Sequence, residues 1–209
     1  MGIFYFPCNF VYWQKVKNHD KIKNILIPKV ETLIKKYGYN KFGLHNASTN
    51  YNVDETCLLT SEEDMIKNVV WDPIDSAINE LNSRDNTQNI QIKESVIGNS
   101  WYTYYDSSGS FEFHSHAGGH LFKDGKYYKP SFSMIYILKD ENEHNSTRFI
   151  ETTHDYISTS IGMNFIFETS SVNDIKEGSI LIFPSSLYHS VPPIKIPGRI
   201  TIAINIFSC

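Results

Sequence analysis

The sequence is poor in cysteine, with three among 209 residues: Cys8, Cys57 and Cys209. An odd number without close spacing argues against a disulfide framework and against a zinc site built from thiolates. No neighbour of Cys57 suggests activation of its thiol, so a cysteine nucleophile is not predicted. We expect reduced thiols and a cytoplasmic protein.

Long apolar runs and an excess of one charge are also absent. No stretch approaches the roughly 20 apolar residues that a membrane span requires. Residues 1–13 are apolar, but they lack the basic start and the small-residue cleavage site of a signal peptide. The formal net charge is −4, which gives no electrostatic reason to expect a nucleic-acid partner. We therefore expect neither membrane insertion nor nucleic-acid binding.

The first part of the chain carries helical patterns. Asp20 precedes apolar residues at helical spacing over 21–37. Ser61 and Pro73 are suitable first residues for two further helices. Residues 38–60 are rich in Asn, Gly, Ser and Thr and are predicted to form a loop.

From about residue 90, the chain changes to short runs typical of β-strands, rich in Tyr, Phe and Ile. They are 90–97, 100–106, 110–116, 132–139, 147–152, 164–168, 179–183 and 199–207. Many short strands separated by turn signals predict a sandwich, jelly roll or barrel. We predict a single, mostly β domain over 1–209, in which a helical N-terminal layer (1–89) packs on a jelly-roll catalytic core (90–209).

Histidines are concentrated at the end of one predicted strand: His114, His116 and, beyond the strand, His120 lie within seven residues. Side chains alternate along a strand, so His114 and His116 are expected to point to one side together with Glu112. Non-heme iron oxygenases use two histidines and one carboxylate and leave other coordination positions open. The pattern indicates part of a mononuclear iron site that another strand must complete.

The second part of this site is predicted near the C-terminus. His189 follows a hydrophobic run that ends at Pro184, and it is well placed to act as a ligand. Arg199 begins the last strand, and Thr201 shares its face. A guanidinium in a β-core needs an anion and suits a carboxylate in bidentate geometry. That anion is either a ligand or a carboxylate elsewhere in the chain.

With these residues, the sequence resembles the iron(II)- and 2-oxoglutarate-dependent oxygenases, and most closely a subgroup found in marine bacteria and their phages. The motifs that carry the resemblance are Trp101 and residues 111–116, 133–138, 177–184, 187–191 and 199–202. The resemblance implies a double-stranded β-helix fold (a jelly roll of cupin-like type) and Fe(II) held by His114, His116 and His189.

The resemblance also implies a cosubstrate and a reaction. 2-Oxoglutarate would chelate the metal through its keto acid end, with its far carboxylate on Arg199 and Thr201 and with Tyr136 also in reach. The expected reaction hydroxylates an unactivated C–H bond of an amino-acid-like, peptidyl or small-metabolite substrate and releases succinate and CO2. The protein would position the reactants in a dry pocket, and the metal would carry the oxidative chemistry.

Two features depart from the family's pattern. The usual motif is His-x-Asp/Glu, and His116 stands where the acid should be, so the third ligand is His116 unless Glu112 or Asp106 supplies a carboxylate. Residues 117–131 are longer than expected and could form a lid. In another register, with Gly118 in the place of the acid, the motif resembles that of related halogenases, in which a missing carboxylate leaves room for halide.

Other interpretations stay open. Trp101, Thr103 and Tyr105 share a face of their predicted strand and are expected to build the pocket or simply the core. A cupin-type metalloprotein without 2-oxoglutarate, such as an isomerase or an O2-only dioxygenase, would also suit three histidines. A non-catalytic jelly-roll module would leave the histidines as coincidence. Arg199 and Thr201 favour the oxygenase; the substrate and a homodimer paired through sheet edges stay undetermined.

Overall fold

A computed structural model describes residues 2–5, 9–38, 44–51, 58–59, 63–84, 94–141, 145–150 and 166–209. The predictions for Cys8 and Cys57 lie outside these residues, whereas Cys209 is an exposed free thiol. None of the helices in the described ranges has the length and hydropathy of a transmembrane segment.

The described residues form a mostly β structure with helices near the N-terminus. In chain order the elements are β1 (Gly2–Tyr5), β2 (Phe10–Lys15), α1 (His19–Tyr37), β3 (Leu44–Thr49), α2 (Glu63–Ile66), a π-helical turn (Lys67–Trp71), α3 (Asp72–Arg84), β4 (Ser95–His114), β5 (Leu121–Lys123), β6 (Lys126–Lys139), β7 (Arg148–Ile150), β8 (Ile166–Glu168), a 3-10 turn (Thr169–Ser171), β9 (Ser179–Pro184), β10 (Tyr188–Val191) and β11 (Arg199–Ser208).

The strands form one antiparallel sheet in the order β1-β2-β9-β6-β11-β4-β10-β7-β8, with β3 paired to β4 and β5 paired to β6. β11 lies between the two long strands β4 and β6. Strands distant in sequence are therefore neighbours, as in a jelly roll. The predicted fold class, mostly β with N-terminal helices and a jelly-roll core, is confirmed.

Both faces of the central strands are buried. The core shared with the helices includes four isoleucines of β11: Ile200, Ile202, Ile204 and Ile206. Arg199, Thr201 and Ala203 lie on the opposite face because side chains alternate. That face is the inner surface of the jelly roll, where a second core forms around Phe149 and Phe183.

The helices cover the outer face of the sheet. α1 buries Ile22, Leu26 and Val30, which recur every four residues. The two helices predicted from Ser61 and Pro73 form one helical run from residue 63 to residue 84, joined by the π-helical turn. There the Asp72 N–H bonds to the Lys67 carbonyl five residues earlier, next to a proline that has no N–H to donate.

Residues 1–89 contribute strands as well as helices. β2 pairs with β9, and β3 pairs with β4. β3 lies within the predicted loop 38–60, so that prediction is wrong for residues 44–49. Its sequence, with polar His45, Asn46 and Ser48, has no strand-like alternation; the pairing to the long strand β4 makes it a strand.

Candidate metal centre

Three histidines converge on the inner surface of the jelly roll. His114 ends β4, and His189 lies directly opposite it on the neighbouring strand β10. His116 follows two residues after β4 ends, and its N–H donates to the Ser185 carbonyl at 2.8 Å, which fixes the chain there. One ligand nitrogen from each histidine lies within 4.8 Å of the other two. The structure thus brings together the three predicted metal ligands.

An irregularity in β4 turns the first histidine inward. Pairing passes from His189 and His114 to Val191 and Phe111, so three steps along β4 match two along β10. Such a β-bulge places one extra residue in the strand and changes which side chains share a face. The Phe111 and His114 rings consequently lie on the same side, stacked with centroids 4.0 Å apart.

The bulge also turns Glu112 away from the ligand nitrogens. Its Oε1 lies 3.2 Å from Nε2 of His45, and both side chains are about two-thirds exposed. The expectation that Glu112 shares the face of the two histidines is therefore wrong. Asp106 is also remote from the cluster and accepts a hydrogen bond from the Ser107 N–H. Among the described residues, no carboxylate joins the three histidines.

Hydrogen bonds determine which nitrogen of each ring is available. Nδ1 of His114 lies 2.8 Å from the Glu112 carbonyl oxygen, and Nδ1 of His189 lies 3.2 Å from that of Leu187. A carbonyl oxygen can only accept, so Nδ1 carries the proton in both rings. Each Nε2 then has a free lone pair, as a metal ligand requires.

His116 is oriented by side chains rather than by a carbonyl. Its Nδ1 lies 2.8 Å from Oδ1 of Asn205 and 3.0 Å from Oγ of Ser133. Donation from Nδ1 to the Asn205 oxygen gives this ring the same tautomer as the other two. All three histidines then have Nε2 free to bind a metal.

The surroundings favour the neutral, metal-binding form of each ring. Burial lowers the pKa of His114, against a smaller opposite effect of its bond to the Glu112 carbonyl. Burial, and then the proximity of His114, lowers the pKa of His116 to about 4. Burial and the two neighbouring imidazoles hold the pKa of His189 well below its usual value. The cluster is therefore uncharged at neutral pH and ready to bind a cation.

Two cavities meet at the histidines. A narrow inner cavity of about 20 Å³ is lined by Trp101, Thr103, Tyr105 and Thr201. The first three, expected to build the pocket or the core, line this cavity and are also buried. An outer cavity of about 300 Å³ opens beyond it and has mostly aromatic walls, including Tyr51. Both cavities are lined by His114, His116, Trp101 and Phe111, so the cluster lies between an inner and an outer compartment.

Arg199 lies behind the inner cavity. It is almost fully buried, with Nη1 donating to the Ser146 carbonyl at 2.9 Å and Nη2 donating to Oγ1 of Thr147 at 3.2 Å. Its Nε is 3.3 Å from Oδ2 of buried Asp140, close enough for an ion pair but without hydrogen-bond geometry. The sequence left open whether the anion beside Arg199 is a ligand or a carboxylate of the chain, and Asp140 is such a carboxylate. Thr147 itself lines the cavity, so one side chain separates the guanidinium from it.

Tyr105 is a site residue whose role the sequence only partly indicated. It pairs directly opposite Arg199, as Thr103 does opposite Thr201, and its hydroxyl bonds to both threonines. Burial raises its pKa to about 12, against the opposing effects of the Arg199 charge and the threonine hydrogen bonds. The phenol therefore keeps its proton and can donate to an anion.

Tyr136 is not brought to the site, which corrects its predicted contact with a cosubstrate. In β6, Ile135 lines the inner cavity, so the next residue points to the opposite face. The Tyr136 hydroxyl lies 2.6 Å from Nδ1 of His19, in the layer between sheet and helices.

Residues 117–131 contain a hairpin between β5 and β6, turned at Asp124 and Gly125 with φ of 51° and 76°. Its aromatic side chains Phe122 and Tyr127 are exposed, and neither lines the two cavities. A role as a lid stays a prediction. Gly118 has open space where a side chain would be and lines neither of the two cavities, and the alternative register stays a prediction.

Comparison with solved structures identifies the fold. The chain is similar to OsALKBH1 (15% identity, TM-score 0.65, covering 97% of this chain and 99% of that one). It is also similar to a Trichoplax adhaerens prolyl hydroxylase solved with a hypoxia inducible factor peptide (13%, 0.55, 95% and 83%). A third is HygX from Streptomyces hygroscopicus, solved with nickel and 2-oxoglutarate (10%, 0.52, 95% and 82%). No protein-family model and no curated protein matches the sequence. The shared feature is the double-stranded β-helix, as predicted.

Proposed function

We propose that the protein is an Fe(II)- and 2-oxoglutarate-dependent oxygenase that hydroxylates a C–H bond of an amino-acid-like, peptidyl or small-metabolite substrate. The observation that carries the proposal is the convergence of three Nδ1-protonated histidines inside a jelly roll. Support comes from the similar folds of a prolyl hydroxylase and of HygX, the latter solved with 2-oxoglutarate.

The donor set suits Fe(II), with a third imidazole in place of the carboxylate ligand of the resembled oxygenases. His114, His116 and His189 would hold Fe(II) through Nε2, which leaves positions for cosubstrate and O2. Bound Fe(II) and 2-oxoglutarate supply the oxidising chemistry, with release of succinate and CO2. The outer cavity, with its aromatic walls, is the space where a substrate can approach the same histidines.

The inner cavity would receive the cosubstrate. Its volume suits about one water molecule, so side chains must move when 2-oxoglutarate enters. Thr201 and Tyr105 line the cavity, and Arg199 lies behind Thr147. The Arg199 guanidinium would exchange its hydrogen bond to Thr147 for one to the far carboxylate of 2-oxoglutarate. It would then anchor the cosubstrate, as proposed.

The charge of this metal site also differs from the charge of a site with a carboxylate ligand. Three neutral histidines leave the metal one unit more positive, whereas Asp140 already neutralises Arg199. We therefore infer that the metal attracts the dianionic cosubstrate more strongly than Arg199 does.

We also propose a cytoplasmic location, which the free thiol of Cys209 suits.

The test is an anaerobic titration of Fe(II)-loaded protein with 2-oxoglutarate, followed by the visible charge-transfer band of the chelate. Wild type is expected to show the band. Thr201→Val and Arg199→Lys should raise the Kd about 10- to 100-fold, because each loses a hydrogen bond to a charged group. Ile200→Val, on the opposite face of β11, is the control and should bind as wild type does.

A second candidate is a cupin-type enzyme that uses O2 without 2-oxoglutarate, which three histidine ligands also suit. Iron binding without the band would establish this candidate instead. Absence of iron binding would show that the three histidines are structural and that the proposed function is wrong.

A further inference from the structure

A buried group of polar side chains lies behind His116. Ser133 and Ser185 are at most 2% exposed, and Asn205 is 8% exposed. They come from β6, from the turn after β9 and from β11. Buried polar groups cost free energy unless they are hydrogen-bonded, so their collection at one ligand needs a physical reason.

Two of the hydrogen bonds in this group end on one oxygen, and Nδ1 of His116 also lies 3.0 Å from Oγ of Ser133. Oδ1 of Asn205 lies 2.8 Å from Nδ1 of His116 and 3.1 Å from Oγ of Ser133. Ser133 in turn lies 3.0 Å from Oγ of Ser185. An amide oxygen only accepts, so a consistent arrangement has His116 and Ser133 donating to Asn205, and Ser185 donating to Ser133. The proton of His116 is then held on Nδ1.

His116 needs this anchor, whereas the other two histidines do not. His114 and His189 donate to the carbonyl two residues earlier in their own chain, an acceptor that any sequence provides. His116 lies beyond the end of β4 and uses side chains instead. When one nitrogen of a histidine binds a metal, a hydrogen bond to the other nitrogen fixes the tautomer and the orientation of the ring. Residues that make such hydrogen bonds therefore contribute to metal affinity.

We propose that Asn205 is the positioning residue of the metal centre: it holds His116 as the Nδ1–H tautomer, so that an imidazole serves where the resembled family has a carboxylate ligand. The inference rests on the metal site of the proposed function. Ser133 supports Asn205 by donating a second hydrogen bond to its Oδ1. Ser185 donates to Ser133 and so fixes the direction in which Ser133 donates.

The experiment measures the Kd of Co(II), without 2-oxoglutarate, by competition with a chelator, and records the Co(II) d–d absorption. Asn205→Ala should weaken binding about 10- to 100-fold and alter the absorption. Asn205→Asp, which keeps the acceptor and adds a charge, should restore binding to at least the wild-type level.

Asn99 provides a matched control. It pairs directly opposite Asn205 on β4, and its buried Oδ1 accepts no hydrogen bond within the described residues. Asn99→Ala should bind Co(II) as wild type does. Thermal unfolding of each metal-free variant separates loss of the site from loss of the fold.

Two results would overturn the inference. Wild-type affinity and absorption in Asn205→Ala would show that the side chain does not hold the ligand. Equal weakening in Asn205→Asp and Asn205→Ala, with both folded, would show that the amide nitrogen and not the oxygen faces His116. Failure of the oxygenase proposal is distinguishable, because then wild type binds Co(II) with the expected Asn205 dependence but forms no 2-oxoglutarate band with Fe(II).

Discussion

At the scale of single residues, the centre differs from a two-histidine, one-carboxylate site by one side chain. Two candidates could fill the third position: His116, whose ring contacts both other histidines, and Glu112, which points to solvent and to His45. Exposure separates the two candidates. His189 is buried and His114 and His116 are partly buried, so their lone pairs gain by binding a metal, whereas the Glu112 carboxylate, two-thirds exposed, is already solvated by water.

This assignment predicts opposite results for two substitutions. His116→Ala should weaken Co(II) or Fe(II) binding by more than about 100-fold, since loss of a ligand exceeds the 10- to 100-fold effect of its partners. Glu112→Ala should leave the Kd unchanged. Chelator competition measures both values. A comparable loss in Glu112→Ala would mean that the carboxylate swings into the site when the metal binds.

At the scale of helices and strands, alternation predicted which residues share a face but not where a strand departs from regularity. The face of Arg199 and Thr201 followed directly from period two. The bulge before His114 did not, because it arises from pairing with β10 and leaves no mark on the β4 sequence. Tyr136 could not be placed either: β6 is covered on both sides, so Met134, Ile135 and Tyr136 are all buried and neither face reads as polar.

A helix gives the prediction at this scale. Pro28 lies on the exposed side inside α1, where it lacks an N–H for the helical hydrogen bonds. Packing of Leu26 and Val30 keeps the helix formed. Pro28→Ala should therefore stabilise the protein, by up to about 3 kcal/mol, and raise Tm by several degrees. Glu31→Ala, also exposed on α1, should change stability by less than about 0.5 kcal/mol. A lower Tm for Pro28→Ala would show that the fold requires a bend there.

At the scale of the whole molecule, polar contacts connect the helical layer to the inner face of the sheet. One carboxylate oxygen of Glu177 pairs with Lys23 of α1 and lies 3.4 Å from Nε2 of His19. The other accepts the Asp140 N–H at 2.9 Å. The Asp140 side chain then faces Arg199. Glu177 thus connects α1 to Asp140, and the carboxylate of Asp140 connects in turn to Arg199.

The pH dependence of stability tests this connection. Burial acts to raise the pKa of Glu177, but Lys23, the Asp140 N–H and His19 together bring it below its usual 4.5. A carboxyl whose pKa is lower in the folded state stabilises that state above its unfolded pKa, and the contribution disappears as pH falls through the folded value. Urea unfolding should therefore show wild type to be more stable than Glu177→Gln above about pH 5, with the difference narrowing below about pH 4.5. Glu141→Gln, which removes a carboxylate 69% exposed, should follow the wild-type curve. Parallel curves for wild type and Glu177→Gln would show that the charge on Glu177 does not hold α1 to the sheet.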